Sequence, residues 1–135
     1  MFLRQLSNKQ KELTLGLAVL AAKANSVIEK DEEYCLRLYA EEMGIDVNNA
    51  SPLPLKEICA ELISISNEKE INQIVFEIIG LMFSDSEFDN DEKSFVRNVT
   101  THLNVSKEKT DTMVECVKDY YAMLGRINAI MFDID

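Results

Sequence analysis

"LMFSDSEFDNDEKSFVRNVTTHLNVS", residues 81–106, lies without a gap over "AAKANSVIEKDEEYCLRLYAEEMGID", residues 21–46. Ser86 falls on Ser26, Phe88 on Ile28, Asp89 on Glu29, Asp91 on Asp31 and Glu92 on Glu32. Farther along, Asn98 and Val99 meet Leu38 and Tyr39, Leu103 meets Met43, Asn104 meets Gly44 and Val105 meets Ile45. Chemistry recurs at structural positions where identity does not, which is the trace two similar helix–loop–helix units leave in one fold. Two units are too few for a solenoid, so the expectation is one pseudo-twofold globule.

Working outward, the pattern predicts an all-α, single compact domain over 1–135 with about six to seven helices. Its repeat units span roughly 7–65 and 67–131. A first helix is expected over 7–24, opened by a capping box of Ser7 and Gln10. The next runs over 30–43 and stops at Gly44, which can take the left-handed cap conformation. A shorter helix near 54–65 begins at the proline pair of "SPLPL". A long helix over 67–84 follows Ser66 and carries an inner stripe of Ile71, Ile74, Val75, Ile78, Ile79 and Met82. The fifth, 90–103, is stopped by Asn104. The last starts after Ser106 and reaches 131, with Met113, Cys116, Val117, Tyr120 and Leu124 facing inward and Ile127, Ile130 and Met131 continuing the stripe. That extension, 127–134, is either core or an exposed contact for a partner.

Composition supports a helical reading. Only 4 Gly and 2 Pro punctuate 135 residues, which leaves long uninterrupted segments, and 47% apolar content excludes disorder. A chain of this length buries roughly two thirds of its unfolded surface and needs no covalent staple. The net charge of −10 repels phosphate and anionic lipid, so nucleic acid is not an expected partner, whereas a cation or a basic protein surface is. Cys35, Cys59 and Cys116 stand among apolar neighbours, form no CxxC pair and share the chain with one histidine. They are read as buried thiols of a cytoplasmic protein rather than zinc ligands. The segment "LTLGLAVLAAKAN" has the apolarity of a secretory signal, but Glu12 interrupts its charged flank and the repeat incorporates it, so cleavage is not expected. No apolar run approaches the ~20 residues of a transmembrane segment.

The acidic loop admits two explanations. In one, Asp89 and Glu29 cap the helices that follow, Glu92 and Glu32 close the capping boxes, and Asp91 and Asp31 sit in first turns that the helix dipole makes favourable for negative charge. Capping leaves Asp85 and Glu87 unexplained. In the other, Asp85, Glu87, Asp89 and Asp91 alternate as the oxygen ligands of a hard cation do, calcium or magnesium. An EF-hand proper is excluded, because Asn90 stands where its glycine belongs and Val96 where its bidentate glutamate belongs. The candidate metal set is Asp85, Glu87, Asp89 and Glu92, with Glu32 a weaker member. His102 is read as a helix-end residue, and Tyr120 and Tyr121 as core and edge.

A small-residue turn followed by an acidic, capped helix carrying a glutamate, present twice as "AAKANSVIEKDEE" and "LMFSDSEFDNDEK", resembles the TerB-like (tellurite-resistance) family. The resemblance spans roughly 10–131. It implies an all-helical, pseudo-symmetric bacterial domain linked to stress responses, with acidic residues that bind divalent metal. Asp85 and Glu92 match the family's aspartate and glutamate in the second repeat, and Glu32 matches the glutamate of the first. Asn25 replaces the first aspartate, and Ser26 and Ser86 replace glycines, so the second loop is the stronger match.

The functional expectation is therefore a non-enzymatic cytoplasmic binding or scaffold module with a protein partner and a divalent-cation site at the acidic loop. The alternative is a metal-independent acidic helical module that docks a basic partner. With no GxSxG, P-loop or Glu-x-x-His pair, the sequence presents no catalytic constellation.

Overall fold

The computed structural model describes residues 3–24, 30–83 and 90–132, with the side chains of 30–33 and 35 outside that description. Six α-helices make up most of the described residues: α1 (Asn8–Ala24), α2 (Lys30–Met43), α3 (Leu55–Ile65), α4 (Glu68–Met82), α5 (Asn90–His102) and α6 (Lys107–Phe132). Short 3-10 turns at Leu3–Gln5 and Val47–Asn49 were not anticipated. The first tucks Leu3 and Leu6 into the core and carries Arg4, whose Nε donates to the Glu42 carbonyl near the end of α2, 3.1 Å away.

The hub is α1, which packs against α2, α3, α4 and α5. Its residues Leu13 to Ala18 are buried without interruption. A helix apolar all round must be enclosed on every side, and this explains why "LTLGLA" looks like a secretory segment while serving as the centre of the domain. Crowding there is severe. A Cβ on Gly16 would stand 2.7 Å from the Ser51 carbonyl oxygen and 3.0 Å from Ile58 Cδ1, so only glycine lets the Ser51 turn and α3 approach. The Ser51 amide uses that proximity to donate to the Glu12 carbonyl.

Caps place the boundaries. Ser7 and Gln10 form the expected box, with the Ser7 amide donating to Gln10 Oε1 and the Gln10 amide to Ser7 Oγ. Gln10 is itself buried, and its Nε2 donates to Ser66 Oγ, 2.9 Å away, tying the start of α1 to the end of α3. Pro54 stands at the N-cap of α3 rather than within its first turn. A second box was missed in the sequence: Asn67 and Glu70 exchange backbone and side-chain bonds to open α4. Ser106 Oγ accepts from the Lys109 amide to open α6.

The ends of α2 and α5 match bond for bond at an offset of 60 residues. Gly44 and Asn104 both have positive φ, 75° and 59°. The Gly44 amide donates to the Glu41 carbonyl and the Ile45 amide to Ala40, just as Asn104 donates to Thr101 and Val105 to Thr100. Each is a Schellman stop, with Ala40 and Thr100 buried beneath it.

Candidate functional site

Of the acidic residues named from sequence, Asp85, Glu87 and Asp89 lie outside the described residues, as does the side chain of Glu32. Asp91 and Glu92 occupy the first turn of α5 and point to opposite fates: Asp91 is exposed, whereas Glu92 is only 3% exposed. Among the described residues no group of three or more His, Cys, Asp or Glu side chains is placed to hold a metal ion. His102 Nδ1 donates to the Asn98 carbonyl 2.8 Å away, within its own helix.

Two tyrosines fasten neighbouring helices to the C-terminal half of α4, one of them at Gly80, a carbonyl in the last turn that lacks an intrahelical partner. Tyr121 Oη donates to the Gly80 carbonyl at 3.1 Å, and its ring stacks on Phe83 with centroids 6.3 Å apart. Tyr39 Oη stands 3.1 Å from the Glu77 carbonyl oxygen and 3.3 Å from Glu77 Oε2, sharing its one proton between them. Burial, with the Glu77 carboxylate beside it, pushes the Tyr39 phenol well above its ordinary range, so it remains a hydrogen-bond donor at any physiological pH. This is a structural clasp. Its only trace in the sequence is two tyrosines on otherwise amphipathic helices.

The largest departure from expectation is on α6. Its inward face is Thr110, Met113, Val114, Val117 and Tyr121, which packs on α4. Cys116 and Tyr120, expected inside, are exposed. Cys59 is buried as expected, and burial pushes its thiol up to about 11. The side chain of Cys35 lies outside the described residues. Beyond Tyr121 the described residues leave most of the helix uncovered, with Leu124 half-buried and the other apolar side chains exposed. Ile127 is exposed, and Ile130, Met131 and Phe132 reach 79%, 70% and 67% exposure. The sequence reading failed here because amphipathic spacing identifies an apolar face and says nothing about whether the rest of the chain extends far enough to cover it.

Two grooves flank α6. One, an open groove of about 700 Å³ between α4 and α6, is lined by Glu68, Lys69, Asn72, Gln73, Phe76, Met113 and Cys116, and Cys116 is also the first residue of the exposed apolar stripe. The other, between α5 and α6, gathers Lys93, Arg97, Lys107 and Lys118 against a single acid, Asp111, around about 380 Å³. Four of the 14 basic residues thus share one face of a chain with net charge −10, a clustering that linear order had hidden.

No helix of the described residues is long and apolar enough to cross a membrane. Searches of known protein families, curated proteins and solved structures returned no match to this chain.

Proposed function

We propose that this chain is a non-enzymatic binding module, a cytoplasmic scaffold of the TerB-like stress-response kind, which docks a protein along the distal half of α6. One observation carries the reading: Tyr120, Met123, Ile127, Ile130, Met131 and Phe132 present apolar surface on the order of 700 Å². Phe132 lies round the helix from the other five, which form one patch at the upper end of what an ordinary monomer exposes, and water contact with that much apolar area favours a covering partner. The pseudo-twofold repeat belongs to the same proposal, and the paired Schellman stops at Gly44 and Asn104 support it.

The burial of Glu92 favours a second reading. Glu92 stands 3% exposed in the first turn of α5, next in sequence to the acidic run of Asp85, Glu87 and Asp89, and an oxygen-rich run of this kind suits a divalent cation. Capture of partners by immobilised protein separates the two readings. Capture that survives chelator and is lost in Ile127→Glu/Ile130→Glu supports docking on α6. Capture lost with chelator and in Asp85→Asn supports the cation. Calcium and magnesium titrations followed by amide NMR, on the wild type and on Asp85→Asn and Glu92→Gln, test the site itself: saturable shifts confined to 85–92 are its signature, and diffuse unsaturated shifts reject it.

A further inference from the structure

The exposed face of α6 has an internal order that identifies its occupant. Cys116, Tyr120, Met123, Ile127 and Ile130 follow one another at steps of four, three, four and three, and all five are exposed. This is the 3.5-residue period of a helix that pairs with another helix, and it is distinct from the inward stripe that packs on α4. From Asp119 to Phe132 the only charged residues are Asp119 and Arg126, seven apart, so they flank the same side of the stripe; both are exposed.

We infer that the distal half of α6 pairs with α6 of a second copy of this chain, antiparallel about a twofold axis; the inference rests on the reading of this stripe as a docking surface. When two identical helices run in opposite directions about such an axis, each flank faces its own counterpart. Asp119 then meets Arg126 of the second copy, and Arg126 meets Asp119, two reciprocal ion pairs from one sequence. In a parallel pair Asp119 would face Leu124 and Arg126 would face Met131, leaving both charges against apolar side chains. The antiparallel register layers Tyr120 on Met123 and Ile127 on Cys116, each twice by symmetry.

The same register carries Ile130, the most exposed of these side chains, to Met113 of the second copy, where the groove beside Phe76 and Cys116 is open. The apolar end of one helix thus has a receptacle at the start of the other's stripe, as a self-complementary interface requires. Tyr120, Met123, Ile127 and Ile130 expose roughly 400–450 Å² per copy, so the helix pair alone falls short of the ~800 Å² each partner contributes to a standard stable interface, and the seating of Ile130 in the second copy's groove adds to it. A lipid surface fits less well, because interfacial helices carry several Lys or Arg on the polar face and this segment offers one. A basic partner finds no acidic excess along the stripe.

Sedimentation velocity across micromolar concentrations tests the inference. The wild type is expected to be a dimer. D119R alone and R126D alone each set like charges together twice and should weaken association about tenfold, while D119R/R126D should restore it. Both side chains are exposed, so these swaps spare the fold. Under mild oxidant, I127C should form a disulfide with Cys116 of the second copy, located by peptide mapping. A wild type that stays monomeric overturns the second-copy inference and leaves docking of another protein on α6 intact. A dimer indifferent to Ile127→Glu/Ile130→Glu overturns both. Restoration failing in the double swap, or a Cys116–Cys116 disulfide in its place, overturns the antiparallel arrangement.

Discussion

Helices α4 and α6 are both amphipathic, both open with a side-chain cap and both carry branched apolar residues at helical spacing, yet the domain treats them differently. Along the 15 residues of α4, Ile71, Ile74, Val75, Glu77, Ile78, Ile79 and Met82 are buried. Along the 26 residues of α6, only Thr110 and Val117 are. At 1.5 Å per residue α6 is roughly 39 Å long, more than the body it rests on can cover. Periodicity therefore reports the existence of an apolar face, and the length of the neighbouring elements decides whether that face is core or surface. In α4 the face is enclosed by α1, α5 and α6; in α6 it runs past Tyr121, where among the described residues Leu124 is half-buried and Met123, Ile127, Ile130, Met131 and Phe132 are exposed.

Substitutions can break this contrast, the largest effects first. Ile74→Ala removes a fully buried side chain from α4 and should lower unfolding free energy by about 2–5 kcal/mol, whereas Ile130→Ala, measured in dilute solution, should change it by less than about 0.5 kcal/mol. Comparable losses in urea titrations would erase the distinction between the two helices. On the enclosed side, Gly16→Ala forces a Cβ to within 2.7 Å of the Ser51 carbonyl and should cost about 1–3 kcal/mol; an unchanged melting temperature would mean that α1 is less tightly surrounded than it stands here.

The two described thiols sharpen the comparison in pH. Cys59 has a folded value of about 11 against an ordinary value of 9.0, so the folded state holds its proton where the unfolded chain has lost it. Stability tied to this thiol is complete below about pH 9 and is lost as pH rises from there toward 11. Thermal melts should therefore fall over that window more steeply in the wild type than in Cys59→Ala, and equal slopes would contradict the burial of the thiol. Smallest is the clasp that marks where α6 leaves the body. Tyr121→Phe deletes the bond to the Gly80 carbonyl and should cost about 1 kcal/mol, read from chemical denaturation.

Much of the fold could be read directly from the sequence, because helix ends are local chemistry. Ser7 with Gln10, Gly44, Asn104 and Ser106 are found at boundaries with the bonds their side chains or φ values allow. The Asn67–Glu70 box is equally local chemistry, an asparagine followed three residues on by a glutamate. What local chemistry does not carry is who stands beside whom. The centrality of α1, the tyrosine clasp on α4 and the basic groove of Lys93, Arg97, Lys107 and Lys118 each join residues remote in sequence. The acidic candidates divide along the same line. That Glu92 opens a helix is a local inference; that it is buried while Asp91 is exposed depends on how α5 meets the core. Cys116 and Tyr120 were misassigned to the interior for the same reason, since they belong to a second apolar face beside the first.

Amide hydrogen exchange read by mass spectrometry, at protein concentrations below and above association, tests the central claim most directly. Protection of α4 should be high and independent of concentration, because its own chain encloses it. Peptides from 119–132 should exchange rapidly in dilute protein and become protected as concentration rises, with Ile127→Glu/Ile130→Glu abolishing the gain. Strong protection of 119–132 that is already complete in dilute wild type and indifferent to that double substitution would contradict the account, placing the distal half of α6 in the domain's own core.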